Sequence, residues 1–175
     1  CSAAAGPHQG LQAVIDSAKS RGTGPLQKYI RGRMPKASQQ EVDDAAEVAL
    51  KIIETVPIFI ATAAQEADDR KLTEVVQPVL DRAVRYFLHP VDILPETTLG
   101  LAGLLDDTYL VLRILQVLEE GPEPFVEWDL EHPTTFIRKL LSERISQQID
   151  AISAIAFEEV AGTPGQLWHK EPFDA

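Results

Sequence analysis

The sequence is almost without cysteine: Cys1 is the only one in 175 residues. An intramolecular disulfide and a cysteine-rich metal site are therefore excluded. No run alternates apolar and polar residues in the way that marks a half-buried strand. Gly22-Thr-Gly24 lacks the Lys-Ser/Thr that completes a phosphate-binding loop, and no Gly-x-Ser-x-Gly elbow is present. A long apolar run free of charge is also missing. The nearest to one, Leu99 to Leu118, carries Asp106, Asp107 and Arg113. Each central charge costs about 2.5–3.5 kcal/mol on the membrane-insertion scale, so the stretch reads as a buried protein helix. Basic charge is scarce as well, with 16 Lys and Arg against 27 Asp and Glu and a net charge of −11. Phosphate recognition needs a basic face, which argues against a nucleic-acid partner. The same shortage disfavours adhesion to anionic lipid. A basic protein or a bound cation suits this charge better.

What is present is helical periodicity. Leu11, Val14, Ile15 and Ala18 predict a short helix that ends at Gly22-Thr-Gly-Pro25. Residues 26–37 collect Lys28, Arg31, Arg33 and Lys36, which reads as a solvated turn or a docking patch. Ser38-Gln-Gln-Glu41 is a capping box, and Val42, Ala45, Ala46, Ala49, Ile52, Ile53 and Val56 follow it on one helical face. Pro57 predicts a kink in that helix. Leu72, Val75, Val76, Val79, Ala83 and Phe87 predict a second long helix, Lys71 to Leu88, bent at Pro78 and stopped by His89-Pro90. A third runs from Pro95 or Thr97 to Glu120, where Gly121-Pro-Glu-Pro124 breaks the chain. A single fourth long helix is predicted from Pro133 to Val160, with Phe136, Ile137, Leu140, Leu141, Ile145, Ile149, Ile152 and Ile155 as its apolar stripe. The expected fold is all-α, a bundle of about four long helices with short extra ones. Residues 1–37 form an N-terminal lead-in with one short helix, 38–160 the bundle, and 161–175 a C-terminal tail.

One stretch departs from this regularity. From Arg85 to Tyr109, prolines and glycines punctuate an apolar sequence, and Asp92, Asp106 and Asp107 stand among leucines. Buried carboxylates need partners, because an unpaired buried charge is costly. Tyr86-Phe-Leu-His-Pro-Val-Asp92-Ile-Leu-Pro95, followed by Gly100, Gly103 and Leu104-Leu-Asp106-Asp107, resembles the signature of the bacterial YkvA-like family, domain of unknown function 1232, over about residues 80–118. Pro90, Asp92, Pro95, Asp106 and Asp107 carry the resemblance, and Glu96 keeps the acid after the second proline. Thr97 and Thr98 replace the usual apolar pair. The resemblance implies a helical hairpin and no activity. Physically, Asp92 precedes a helix start and is placed to cap it, while Pro90 and Pro95 fix the turn. Gly100 and Gly103 allow close helix approach. Asp106 and Asp107 point about 100° apart on a helix, so one is expected to face the bundle and the other its edge. Arg82 or Arg85 on the preceding helix is the expected partner of the inward one.

Three functional readings follow. The first is a non-enzymatic helical interaction or scaffold module, without a cofactor, meeting a protein partner or itself in the cytoplasm. The second is a membrane-peripheral protein, tethered through the apolar hairpin or through Cys1: Cys1 followed by Ser-Ala-Ala-Ala-Gly fits a lipidated terminus, although a fragment boundary is favoured. The third is an enzyme dependent on a divalent cation, with His89, Asp92, Glu96, Asp106 and Asp107 as hard donors near one turn. His132 and His169 stand alone and read as structural or solvated.

Overall fold

The computed structural model describes residues 7–88, 100–119 and 129–161. These form seven helices in chain order: α1 Pro7–Ser20, α2 Gly24–Arg33, α3 Gln39–Asp69, α4 Thr73–Leu88, α5 Leu104–Glu119, α6 Glu131–Leu140 and α7 Glu143–Ala161. A 3-10 turn, Gly100–Gly103, leads into α5. No strand occurs among the described residues. The protein is an all-α bundle whose longer helices are α3, α4, α5 and α7.

The centre of the bundle is α5. It packs against α3, α4, α6, α7 and the 3-10 turn. Leu105, Val111, Leu112 and Leu118 are fully buried, as are Tyr109 and Thr108. A helix that is apolar nearly all round has to be enclosed, since each buried Leu or Ile contributes roughly 1.5–3 kcal/mol over an exposed one. Around it, α3 buries the face predicted from Val42 to Val56. Ser38 opens α3 with both arms of the capping box: the Glu41 N–H donates to Ser38 Oγ at 3.1 Å, and the Ser38 N–H to Glu41 Oε1 at 3.0 Å. The helix continues through Pro57, which is itself buried. Among the described residues no helix is long and apolar enough to cross a membrane.

The join between α3 and α4 is a Schellman turn. The Leu72 N–H donates to Ala67 O at 2.7 Å and the Lys71 N–H to Asp68 O at 3.1 Å. Lys71 therefore adopts φ 58°, the left-handed region that favours glycine. Lys71→Gly is expected to stabilise the fold by about 0.5–1 kcal/mol, read as a shift of the urea midpoint at unchanged slope.

Two local predictions are corrected. The basic stretch 26–37 is not a turn: α2 occupies most of it, with Leu26 and Ile30 fully buried one turn apart. Pro25 suits the start of α2, where its missing N–H has no partner to lose. The stretch 133–160 is not one helix but two, because Leu141 is extended (ψ 151°). Ser142 then restarts the chain, its Oγ accepting from the Ile145 N–H at 3.2 Å. Ile155, expected on the buried stripe, is exposed, whereas Ser146 and Ser153 on α7 are buried.

Candidate functional site

The site forms where α5 begins. Its first turn carries Asp106 and Asp107, where free N–H groups and the helix dipole favour negative charge. Asp106 Oδ1 accepts from the Asp107 N–H at 3.0 Å. The residues before them, Leu101 and Ala102 in the 3-10 turn, are buried, and that turn packs on α1 and α2. Enclosure on several sides explains why both aspartates are buried, at 5% and 3% exposure, rather than one facing inward and one the edge. Their directions still differ. Burial is the main cause that raises the pKa of the Tyr29 hydroxyl on α2; Arg33 opposes it, and Asp106 lies close enough to add a smaller upward push. Asp107 faces α1.

Asp107 Oδ2 is buried and has no hydrogen-bond partner among the described residues. Burial is the main cause that pushes its pKa up, to about 9, and the neighbouring Asp106 charge adds to it. Asp107 thus holds a proton at neutral pH. It lines a partly open cavity of about 350 Å³ between α1 and the facing ends of α4 and α5. Val14 and Ala18 of α1, Phe87 and Leu88 of α4, and Leu104 of α5 give it apolar walls. Ser17 and the exposed Arg21 add polar atoms from the α1 side. Gly10 sets how closely α1 lies on α4: a Cβ there would stand 3.2 Å from Leu88 Cδ2. An apolar recess with one pKa-shifted acid is the form that small-molecule sites commonly take.

A second polar cluster joins α5, α6 and α7. Asp150 Oδ1 accepts from the Tyr109 hydroxyl at 2.8 Å and from Arg113 Nε at 2.9 Å, and Asp150 Oδ2 accepts from Arg138 Nη1 at 3.2 Å. Arg138 Nη1 also donates to the Tyr109 hydroxyl oxygen at 2.9 Å. Burial raises the Tyr109 pKa to about 12, helped by its bond to Asp150, so the hydroxyl stays a donor. Nothing in the sequence singled out Asp150 or Arg138. An acid and an Arg on helices of mixed polarity ordinarily point to water, and only the tertiary arrangement brings them together.

The basic residues of α2 hold the molecule to itself. Arg33 Nε donates to Leu140 O at 3.0 Å, Arg33 Nη2 to Leu141 O at 3.3 Å, and the Tyr29 hydroxyl to Leu140 O at 3.0 Å. These carbonyls are freed by the break between α6 and α7, and a cation at a helix C-terminus is favourable. Arg31 bonds Ala37 O and Gln39 Oε1.

Of the residues expected to act together, His89, Pro90, Asp92, Pro95 and Glu96 lie outside the described residues. Arg82 is half-buried on α4 and Arg85 is exposed there. Among the described residues no cation contributes to the Asp107 shift, and its Oδ2 lacks the Arg partner that pairing would supply. Gly100 and Gly103 bracket the 3-10 turn, and Gly103 borders the cavity. No group of three or more His, Cys, Asp or Glu placed to hold a metal occurs among the described residues. His132 is exposed beside Asp129, whose hydrogen bond raises its pKa.

Residues 83–112 match the family described as Protein of unknown function (DUF1232), which supports that assignment for this short segment. The matched stretch contributes Phe87, Leu88, Gly103, Leu104 and Asp107 to the cavity. No curated protein and no solved structure matches the chain.

Proposed function

For a chain that carries the DUF1232 segment on α4 and α5, we propose the role of a non-enzymatic helical scaffold that meets a basic protein partner along the outer face of α3. The observation that carries this reading is the composition of that face. Val48 and Ile58 are 41% and 53% exposed, and Lys51 and Thr55 continue the same row at helical spacing. Asp44, Glu47, Asp68 and Asp69 are exposed on the same helix. Exposed aliphatics set among acids suit an amphipathic segment rich in Lys and Arg, and the net charge of −11 would speed its encounter. The polar bonds between helices support the reading too. Lys19–Glu54 at 2.8 Å and Gln27–Asp43 at 3.1 Å fasten α1 and α2 to the flank of α3, so the outer face is presented on a rigid support.

The test places a photoreactive p-benzoyl-phenylalanine at position 51 and cross-links in the cells that make the protein. A discrete protein adduct is expected. Combining Val48→Glu with Ile58→Glu should lower its yield by about tenfold, because the new charges would have to be buried in the contact. Both side chains are exposed, so the melting temperature should stay unchanged. Absence of an adduct, or an adduct undiminished in the double variant, would overturn the proposal.

A further inference from the structure

We propose that the cavity between α1 and the start of α5 binds an amine carried on a compact apolar body, with the Asp107 carboxylate as the counter-ion of the ammonium group. The proposal is independent of the α3 face and of any protein partner. It starts from a polar atom without a partner: Asp107 Oδ2 is buried at the cavity wall and has no hydrogen-bond partner among the described residues. An unmatched buried polar atom of this kind forfeits a hydrogen bond that a ligand can restore.

The charges around the cavity select the sign of that ligand. On α5 the neighbouring Asp106 adds negative charge, which repels an anion and favours a cation. On α4 the lining residues, Phe87 and Leu88, are uncharged. On the α1 side Ser17 is neutral, and Arg21 is exposed, where water and salt screen it. The walls select the rest of the molecule. Among the described lining residues Asp107 is the one carboxyl, set beside Ser17, Arg21 and apolar side chains, and these do not make a shell for a metal ion that takes six or more oxygen ligands. They do fit an organic cation, its charged end at Asp107 and its body against Phe87, Leu88 and Leu104. The volume of about 350 Å³ is at the lower end of the usual range for small-molecule sites.

Binding has a defined proton balance. Free Asp107 holds a proton at neutral pH because burial and Asp106 raise its pKa to about 9. When the ammonium enters, the carboxyl gives that proton to the buffer and the resulting carboxylate accepts hydrogen bonds from the ammonium. Approximately one proton is released per ligand near pH 7, and affinity rises with pH until Asp107 is ionised in the free protein.

The probe is 2-phenylethylammonium chloride, compared with 2-phenylethanol, which has the same body and no charge. Calorimetric titration at pH 7 and 8, in buffers of differing ionisation enthalpy, gives both affinity and proton count. The ammonium is expected to bind about tenfold more tightly than the alcohol, with proton release. Asp107→Asn, with its fold checked by circular dichroism, should remove both the preference and the release. Equal binding of the two probes, no binding of the ammonium, no proton release, or full ammonium binding by the variant would each overturn the proposal.

Discussion

Asp107→Asn should make the protein more stable, and the gain should grow with pH. In the unfolded chain Asp107 ionises near its ordinary value of 3.8, whereas in the folded protein it keeps its proton up to about 9. An acid with a raised folded pKa contributes its full stability below the unfolded value. It loses that contribution as pH climbs towards the folded value. The window is therefore about pH 4 to 9, and the wild-type side chain becomes a growing liability across it. One pH unit corresponds to about 1.4 kcal/mol for a fully expressed shift. Between pH 5 and 7 the advantage of Asn should widen by about 2 kcal/mol, or roughly 4–8 °C in melting temperature for a chain of this size. That is a large share of the roughly 5–15 kcal/mol that holds an ordinary domain together. Asn keeps the shape and removes the titration. Melting curves of both proteins at pH 4, 5, 6, 7 and 8 decide it. A constant difference, or a variant less stable at pH 8, would mean that Asp107 is ionised in the fold. The ligand proposal accounts for why such a side chain is found there, since residues that cost stability are commonly those that bind.

The fold was readable in the sequence wherever burial has a strong period. The stripe on α3 and the Ser38–Glu41 capping box are local patterns, and the structure realises them residue by residue. The same logic missed α2. Its two anchoring residues, Leu26 and Ile30, are outnumbered by charge, and the helix forms because α3 and the 3-10 turn cover that one face. It also ran α6 and α7 together. No Gly or Pro marks the break at Leu141, and the carbonyls released there are satisfied by Tyr29 and Arg33 from more than 100 residues earlier in the chain. The candidate site was half legible. Aspartates among leucines drew attention to the start of α5, where both are buried, and a helical wheel set them about 100° apart. Burial of both could not be read from a wheel, because a wheel treats one side of a helix as open. The start of α5 has the 3-10 turn, α1 and α4 around it. The cavity itself depends on α1, a helix whose sequence shows only an ordinary apolar stripe.

Asp150→Ala should cost about 2–3 kcal/mol, more than its place on the surface of a helix would suggest. Asp150 is 26% exposed at the side chain and is the shared acceptor for Tyr109, Arg113 and Arg138. Removing one partner of a buried ion pair costs about 3–5 kcal/mol, and an exposed pair is worth no more than about 1. Partial exposure places this cluster between those limits. The loss has two sources. Arg113 and Arg138 are left with like charges around one point, and the hydroxyl of the fully buried Tyr109 loses the oxygen to which it donates. Tyr109→Phe alone should cost about 1 kcal/mol, the net value of one hydrogen bond. The two changes should not add: once Asp150 is gone, the Tyr109 hydroxyl keeps only the bond it accepts from Arg138, so the double variant should fall short of the sum by at least about 0.5 kcal/mol. Tyr109 supplies a second readout. With the carboxylate removed, a cause that raises its pKa disappears, and its ionisation should move down towards the ordinary tyrosine range in an ultraviolet titration. Additive energies with an unmoved titration would show that the three helices are held by apolar packing alone. A coupled loss would make Asp150 the fastening of α7 to α5, and so part of what holds Asp107, less than one turn before Tyr109, against the cavity.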